Sequence, residues 1–254
     1  MIDLHCHVLP GLDDGAADPA TSLAMAELAA ADGIRTMVAT PHVNFAYEYP
    51  LEAIGRGVCQ LNELLSDAAV PVRVVAGAEL DVARLIELSD GELQALSLGD
   101  GPSLLLESPF GHAGLLEDVV FDLQLRGYTT VLAHPERCPT FQRDVELLGR
   151  LVERGALCSI TAGSLAGMFG STVRRFALHL LREELVHDIS SDAHDSDRRP
   201  PLIGLARREM DRDVPEMSPR FDWLAKGGAH AILSGDPLPE PPRPAARRRW
   251  RLFG

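Results

Sequence analysis

The chain has 254 residues, enough for one large domain or two small ones, and its 46% hydrophobic and 24% charged content is that of a core-forming protein, which excludes disorder for most of it. No apolar run approaches the roughly 20 residues that a membrane-spanning helix takes. A formal charge of −13 with only 5% aromatic residues disfavours nucleic acid and anionic membrane as partners of the body, so any phosphate handled here must be captured by metal ions or by particular arginines.

The first residues, Met1-Ile2-Asp3-Leu4-His5, lack the basic and then apolar regions of a secretory signal. The cysteines Cys6, Cys59, Cys138 and Cys158 show no C-x-x-C pairing, so reduced thiols in the cytoplasm are expected. Short runs rich in β-branched residues predict strands over 2–8, 36–40, 72–76, 103–107, 129–133, 156–160 and 186–190. Between the first two, Asp18 suits an N-cap, Pro19 the first helical position and Gly33 the stop. Helical stripes follow at Leu51, Ile54, Val58, Leu61 and Leu65, then Leu115 to Leu123 ending near Gly127, then Val145 to Val152 ending at Gly155. Strands alternating with helices imply a parallel sheet covered by helices, either closed into a barrel or open and doubly wound. The barrel would occupy 1–235. Pro239, Pro241, Pro242 and Pro244 cannot continue a helix or a sheet, and 236–254 is expected to be a Pro/Arg-rich flexible tail.

The chemistry-bearing residues fall at the predicted strand ends. On one strand, Asp3, His5 and His7 should share a face, with Cys6 opposite, and two imidazoles so spaced can chelate one ion. Taken alone, the pair favours chelation over the alternative of two ordinary surface histidines. Asp13-Asp14-Gly15 reads first as a solvated turn. His42 follows the second strand, Glu79 the third, Glu107 closes the fourth, His134 and Arg137 end the fifth, and Asp192 and His194 end the seventh. A closed parallel sheet brings such ends to one rim, where these folds build active sites.

The series Asp3-x-His5-x-His7, Asp13-Asp14-Gly15, Ala39-Thr40-Pro41-His42, Gly77-x-Glu79, His134-Pro135-Glu136-Arg137 and Ser191-Asp192-Ala193-His194 resembles the PHP (polymerase and histidinol phosphatase) superfamily. Within it, the chain is similar to the bacterial tyrosine-protein phosphatases of capsule and exopolysaccharide clusters. The likeness covers roughly 1–203, including Ile160-Thr161-Ala162-Gly163-Ser164-Leu165 and Arg199-Pro200-Pro201. It implies a single-domain, PHP-type distorted (β/α)7 barrel with three divalent ions, usually manganese. By motif, His5, His7, Glu79 and Asp192 would hold one ion, Glu79, Glu107 and His134 a second, and Asp14, His42 and His194 the third, with Arg137 and Arg199 gripping phosphate. The partner it implies is a phosphotyrosine protein, a bacterial tyrosine kinase of polysaccharide export.

Imidazoles and carboxylates without thiolate also favour manganese, iron or zinc on chemical grounds. The reaction expected of such a set is hydrolysis of phosphotyrosine by a metal-bound hydroxide. A phenolate, with a parent pKa of about 10, leaves more readily than a serine alkoxide. A cysteine-dependent mechanism is excluded, because the residue six beyond each cysteine is Leu12, Leu65, Asp144 or Ser164 and never arginine. A histidinol-phosphatase-like small-molecule phosphoesterase, or a metal-loaded module that binds a kinase tail, are the alternatives. His112, His179, His187 and His230 read as surface or structural, Cys6 and Cys138 as packing residues, and Glu136 as structural, with a chance of pairing Arg137. Asp3 is the carboxylate expected to orient an imidazole. Tyr47 and Tyr49 would shape the substrate mouth or pack at a helix start. Arg247 to Arg251 with Trp250, Leu252 and Phe253 would touch an anionic membrane or an acidic partner, or remain a disordered, solubilising end.

Overall fold

The structure is a computed structural model and describes residues 1–109 and 116–245. His112, Leu115 and the tail residues from 246 onward lie outside the described residues. Each predicted strand is present: β1 (Ile2–Cys6), β2 (Thr36–Ala39) with its continuation β3 (His42–Val43), β4 (Arg73–Ala76) with its continuation β5 (Glu79–Leu80), β6 (Ser103–Glu107), β7 (Thr129–Ala133), β8 (Leu157–Thr161) and β9 (Asp188–Ser190). The first interruption has a local cause. Pro41 has no N–H to give the ladder after β2. After β4, a side chain at Gly77 would lie 2.7 Å from Val38 Cγ1.

All registered pairings are parallel and join β1 to β2, β2 to β4, β3 to β5, and then β5 through β6, β7 and β8 to β9. The circuit closes on itself: Asp192 N–H donates to His5 O at 2.8 Å, His7 N–H donates to Ala193 O at 2.8 Å, and Cys6 bridges Ala193. The open alternative is thereby excluded. Helix Pro19–Asp32 starts where Asp18 accepts from Thr21 N–H at 2.8 Å and stops at Gly33, whose φ is 92°. Helices Glu52–Asp67, Leu116–Leu125 and Val145–Glu153 occupy the other predicted stripes.

Side-chain alternation splits the apolar residues into two groups. Leu104, Leu106, Leu132, Cys158, Ile160 and Ile189 pack outward into the main core. Leu4, Val38, Leu105 and Val131 fill the barrel interior and are sealed at the bottom by Ala229 and Ile232 of helix Ala229–Ser234. Part of the segment expected to be a flexible tail is held against this body. Pro239 O accepts from Trp223 Nε1 at 2.8 Å, Pro242 O accepts from Arg220 Nε at 2.8 Å, and Ala245 N–H donates to Glu216 O at 2.7 Å. No helix among the described residues is long and apolar enough to cross a membrane.

Candidate metal centre

The rim at the strand C-termini gathers every imidazole and carboxylate singled out by motif. Four groups present ligand atoms within 4.8 Å of one another: His5 with His7 and Asp192; His5 with Glu79 and His134; His7 with Asp14, His42 and His194; and His42 with Glu79 and Glu107. Glu107 thus shares a group with Glu79 and His42. Register also sets Glu107 opposite Ala133, the residue before His134. His134 and Asp192 follow β7 and β9 in the left-handed region, at φ 37° and 50°. For residues other than glycine this conformation costs about 1–3 kcal/mol each and concentrates at functional sites.

Glu79 is at the middle. Its Oε2 lies 3.1 Å from His5 Nε2, 3.3 Å from His7 Nε2 and 3.2 Å from His42 Nδ1, and its Oε1 lies 2.7 Å from His134 Nε2. The His5 and His7 Nε2 atoms are 3.1 Å apart, a separation at which two protons cannot both sit between them. Buried imidazole lone pairs converging on a shared carboxylate fit cations better than they fit one another. Tautomers are fixed from behind: His7 Nδ1 contacts Asp13 Oδ2 at 2.7 Å, and His194 Nδ1 lies 3.1 Å from Asp192 O. Each ring thus turns Nε2 towards the centre.

Asp192 divides its oxygens. Oδ1 faces His5 Nε2 at 3.4 Å and His7 Nε2 at 3.6 Å, while Oδ2 meets Arg199 at 2.6 Å and also Arg137. The Phe169 ring lies under both guanidiniums, 4.7 Å from Arg137 and 5.6 Å from Arg199. Burial alone would favour neutral Asp192, but His5 and the arginines hold its carboxyl well below the usual range. Burial, then repulsion from Glu79, pushes Glu107 up to about 7. Burial opposes charge on His7 too, yet Asp13 and Glu79 raise it to about 10. His134 is lowered to about 4, chiefly by burial and then by Arg137. The cluster thus balances its acids with protons that divalent ions would displace.

Several expectations are corrected. Asp3 does not orient an imidazole: it accepts from Ser191 N–H at 2.9 Å and from the Ser191 hydroxyl at 2.5 Å. The β1 to β2 register breaks between Asp3 and Cys6, so Leu4 turns into the barrel interior and Asp3 leaves the face of His5. The orienting carboxylate is Asp13, which also accepts from His42 N–H at 2.9 Å. Sequence reasoning passed it over as a turn residue, although its neighbour Asp14 was singled out. Glu136 makes no ion pair with Arg137 among the described residues; it accepts from Thr161 N–H at 3.0 Å and from the Ser164 hydroxyl at 2.6 Å. Phe169 and the buried Asp188, which accepts from Ser159 at 2.5 Å and also from Ser190, were missed as well. Away from the ligand groups, His187 Nδ1 accepts from Cys158 N–H at 3.1 Å and His187 N–H donates to Cys158 O at 2.9 Å.

A family model described as capsular polysaccharide synthesis, CpsB/CapC, matches residues 1–220. The tyrosine-protein phosphatase YwqE of Bacillus subtilis is 38% identical over 260 residues, covering 100% of this chain and 99% of YwqE. A putative tyrosine-protein phosphatase CapC of Staphylococcus aureus is 31% identical, with 80% of each chain covered. A crystal structure from work on YwqE and on CpsB of Streptococcus pneumoniae, described as unique metal-dependent tyrosine phosphatases, superposes with a TM-score of 0.84 at 36% identity, over 97% of this chain and 100% of that one. The histidinol phosphate phosphatase of Lactococcus lactis shares the fold alone, with a TM-score of 0.54 at 15% identity over 83% of this chain and 92% of that one.

Proposed function

The chain belongs to the CpsB/CapC family of capsular polysaccharide synthesis, and from that premise we propose that it is a metal-dependent protein-tyrosine phosphatase. Its substrate is a cytoplasmic tyrosine kinase that controls capsule or exopolysaccharide export, and its ion is manganese. One observation carries the reading: the imidazoles gathered on the two oxygens of Glu79 stand beside two arginines that meet on Asp192. Bound divalent ions supply Lewis acidity and activation of water at neutral pH.

The protein's own groups do the rest. His5, His7, His42, His134 and His194, with Asp14, Glu79, Glu107 and Asp192, would hold the ions. Asp13 keeps His7 in the tautomer that leaves Nε2 free. Arg137 and Arg199, steadied by Phe169, offer N–H groups to phosphoryl oxygens and stabilise the charge that grows in the transition state. Phenolate departs without needing a strong acid, and none of the site carboxyls is required to protonate it.

The test is a phosphatase assay of metal-analysed protein on phosphotyrosyl peptides and on histidinol phosphate, with manganese, iron or zinc supplied in turn. Phosphate release from the peptides, highest with manganese, is expected. Release from histidinol phosphate alone would transfer the protein to the small-molecule phosphoesterases.

A further inference from the structure

On the His42 side of the centre, the chain between β3 and helix Glu52–Asp67 folds into a groove of about 460 Å³ lined by Phe45, Tyr47, Tyr49, Pro50, Leu51 and Arg84. It shares a wall with the metal centre. The Tyr47 ring lies parallel to the His42 imidazole, with 5.8 Å between centroids and 7° between planes, and the Tyr49 hydroxyl donates to His42 O at 2.5 Å. The outer edge of the groove is Phe45, 62% exposed, with the Arg84 guanidinium 5.1 Å from its ring centroid. Asn44 Oδ1 accepts from the N–H groups of Ala46 at 2.8 Å and Tyr47 at 3.2 Å, a turn that presents these aromatic side chains in a fixed arrangement.

Gripping a phosphoryl group requires none of these residues, yet a large aromatic ring is left in solvent beside the site. Arg84 is already paired with Glu87, so the groove is not built for an anion. Its lining sets the aromatic and aliphatic surfaces of Phe45, Tyr49, Pro50 and Leu51 beside polar Asn44 and Glu48, whose carboxylate also disfavours an anion. A phosphotyrosine whose phosphoryl group reaches the centre leaves its own backbone at the rim, where the residues beside it meet this wall.

We propose that the groove receives the polypeptide next to the phosphotyrosine and seats an apolar side chain against Phe45, Tyr49, Pro50 and Leu51. This rests on the phosphotyrosine-protein phosphatase reading and deepens it, because it separates recognition of a protein from hydrolysis of an aryl phosphate. Burial of one apolar side chain corresponds to about tenfold or more in affinity.

The experiment is steady-state kinetics of metal-loaded enzyme on p-nitrophenyl phosphate and on two phosphotyrosyl peptides, flanked by leucine in one and by aspartate in the other. The parent enzyme is expected to prefer the leucine peptide. Phe45→Ser should raise KM for that peptide about tenfold and leave p-nitrophenyl phosphate within about twofold, while Phe45→Trp keeps the preference. Because Phe45 is exposed, neither change disturbs the core. A leucine-peptide KM unmoved by Phe45→Ser, an equal loss on p-nitrophenyl phosphate, or a parental preference for aspartate overturns the proposal. A parent enzyme that hydrolyses neither peptide removes the functional reading itself, and this proposal with it.

Discussion

Asp13 Oδ2 lies 2.7 Å from His7 Nδ1 and so decides which nitrogen His7 turns towards Glu79 and Asp192. The same carboxylate oxygen accepts from the backbone N–H of His42, tying the His7 ring and the His42 main chain to one turn. Asp13→Ala is expected to weaken metal affinity or activity by about 10-fold to 100-fold, the usual cost of removing such a support. Asp13→Asn should fall between, since an amide oxygen still accepts from His7. Metal titration of the two variants by calorimetry checks this, and unchanged affinity in Asp13→Ala would refute it.

Arg137 and Arg199 converge on one oxygen of Asp192, so either alone can keep that carboxylate in place. Each single alanine variant should therefore fold normally while kcat falls about 100-fold to 1000-fold, as when one transition-state donor is lost. Lysine at 137 would restore charge without the planar fork and recover only part of the loss. Full turnover by Arg137→Ala would contradict the phosphate grip.

Chelation should abolish turnover and lower the melting temperature, because an ion that binds only the folded state adds stability of about 2.7 kcal/mol at a concentration 100 times its Kd. Readdition of metal should reverse both effects. In His134→Ala, expected to lose activity with the fold intact, the thermal shift on adding metal should shrink. A shift as large as the parent's would remove His134 from the ligands. Loss of turnover also argues against a purely sequestering module.

Gly15 is required by close approach. A Cβ there would stand 2.2 Å from His7 O and 2.5 Å from His7 Cβ, a collision with backbone that no rotamer relieves. Gly15→Ala should displace Asp13 and Asp14 together and cost more than about 2 kcal/mol. A crystal structure of the variant with the turn unmoved, or a melting temperature equal to the parent's, would show the contact to be tolerated.

Local signals in the chain locate the strands and helices because those signals are local: β-branched runs, the Asp18 cap, the Gly33 stop. Closure of the barrel was not readable from periodicity, since it depends on backbone bonds between 5–7 and 192–193, far apart along the chain. The rim residues were legible because strand ends carry them in fixed order. What was not legible was who stands behind them. Asp3 alternates correctly with His5 until a register break turns it to Ser191, and Asp13 resembles any turn aspartate until its oxygen meets His7. Phe169 belongs to a loop with no period, and only the fold brings it under two arginines.

His187 gives a pH prediction separate from the metal ligands. Its Nδ1 accepts from Cys158 N–H at 3.1 Å, and burial lowers its pKa from 6.5 to about 4. Between those values the unfolded chain binds a proton that the folded one refuses, so stability rises with pH across this window. The contribution is complete above pH 6.5 and is lost progressively as pH falls towards 4. His187→Asn keeps an acceptor for Cys158 N–H and removes the titration. With ions chelated in both proteins, the ligand histidines contribute equally, and the difference in melting temperature isolates His187. The parent is expected to lose stability more steeply than His187→Asn between pH 6.5 and 4, and the two curves should run parallel above pH 7. Parallel curves throughout would mean that the buried imidazole accepts its proton in the folded state without penalty.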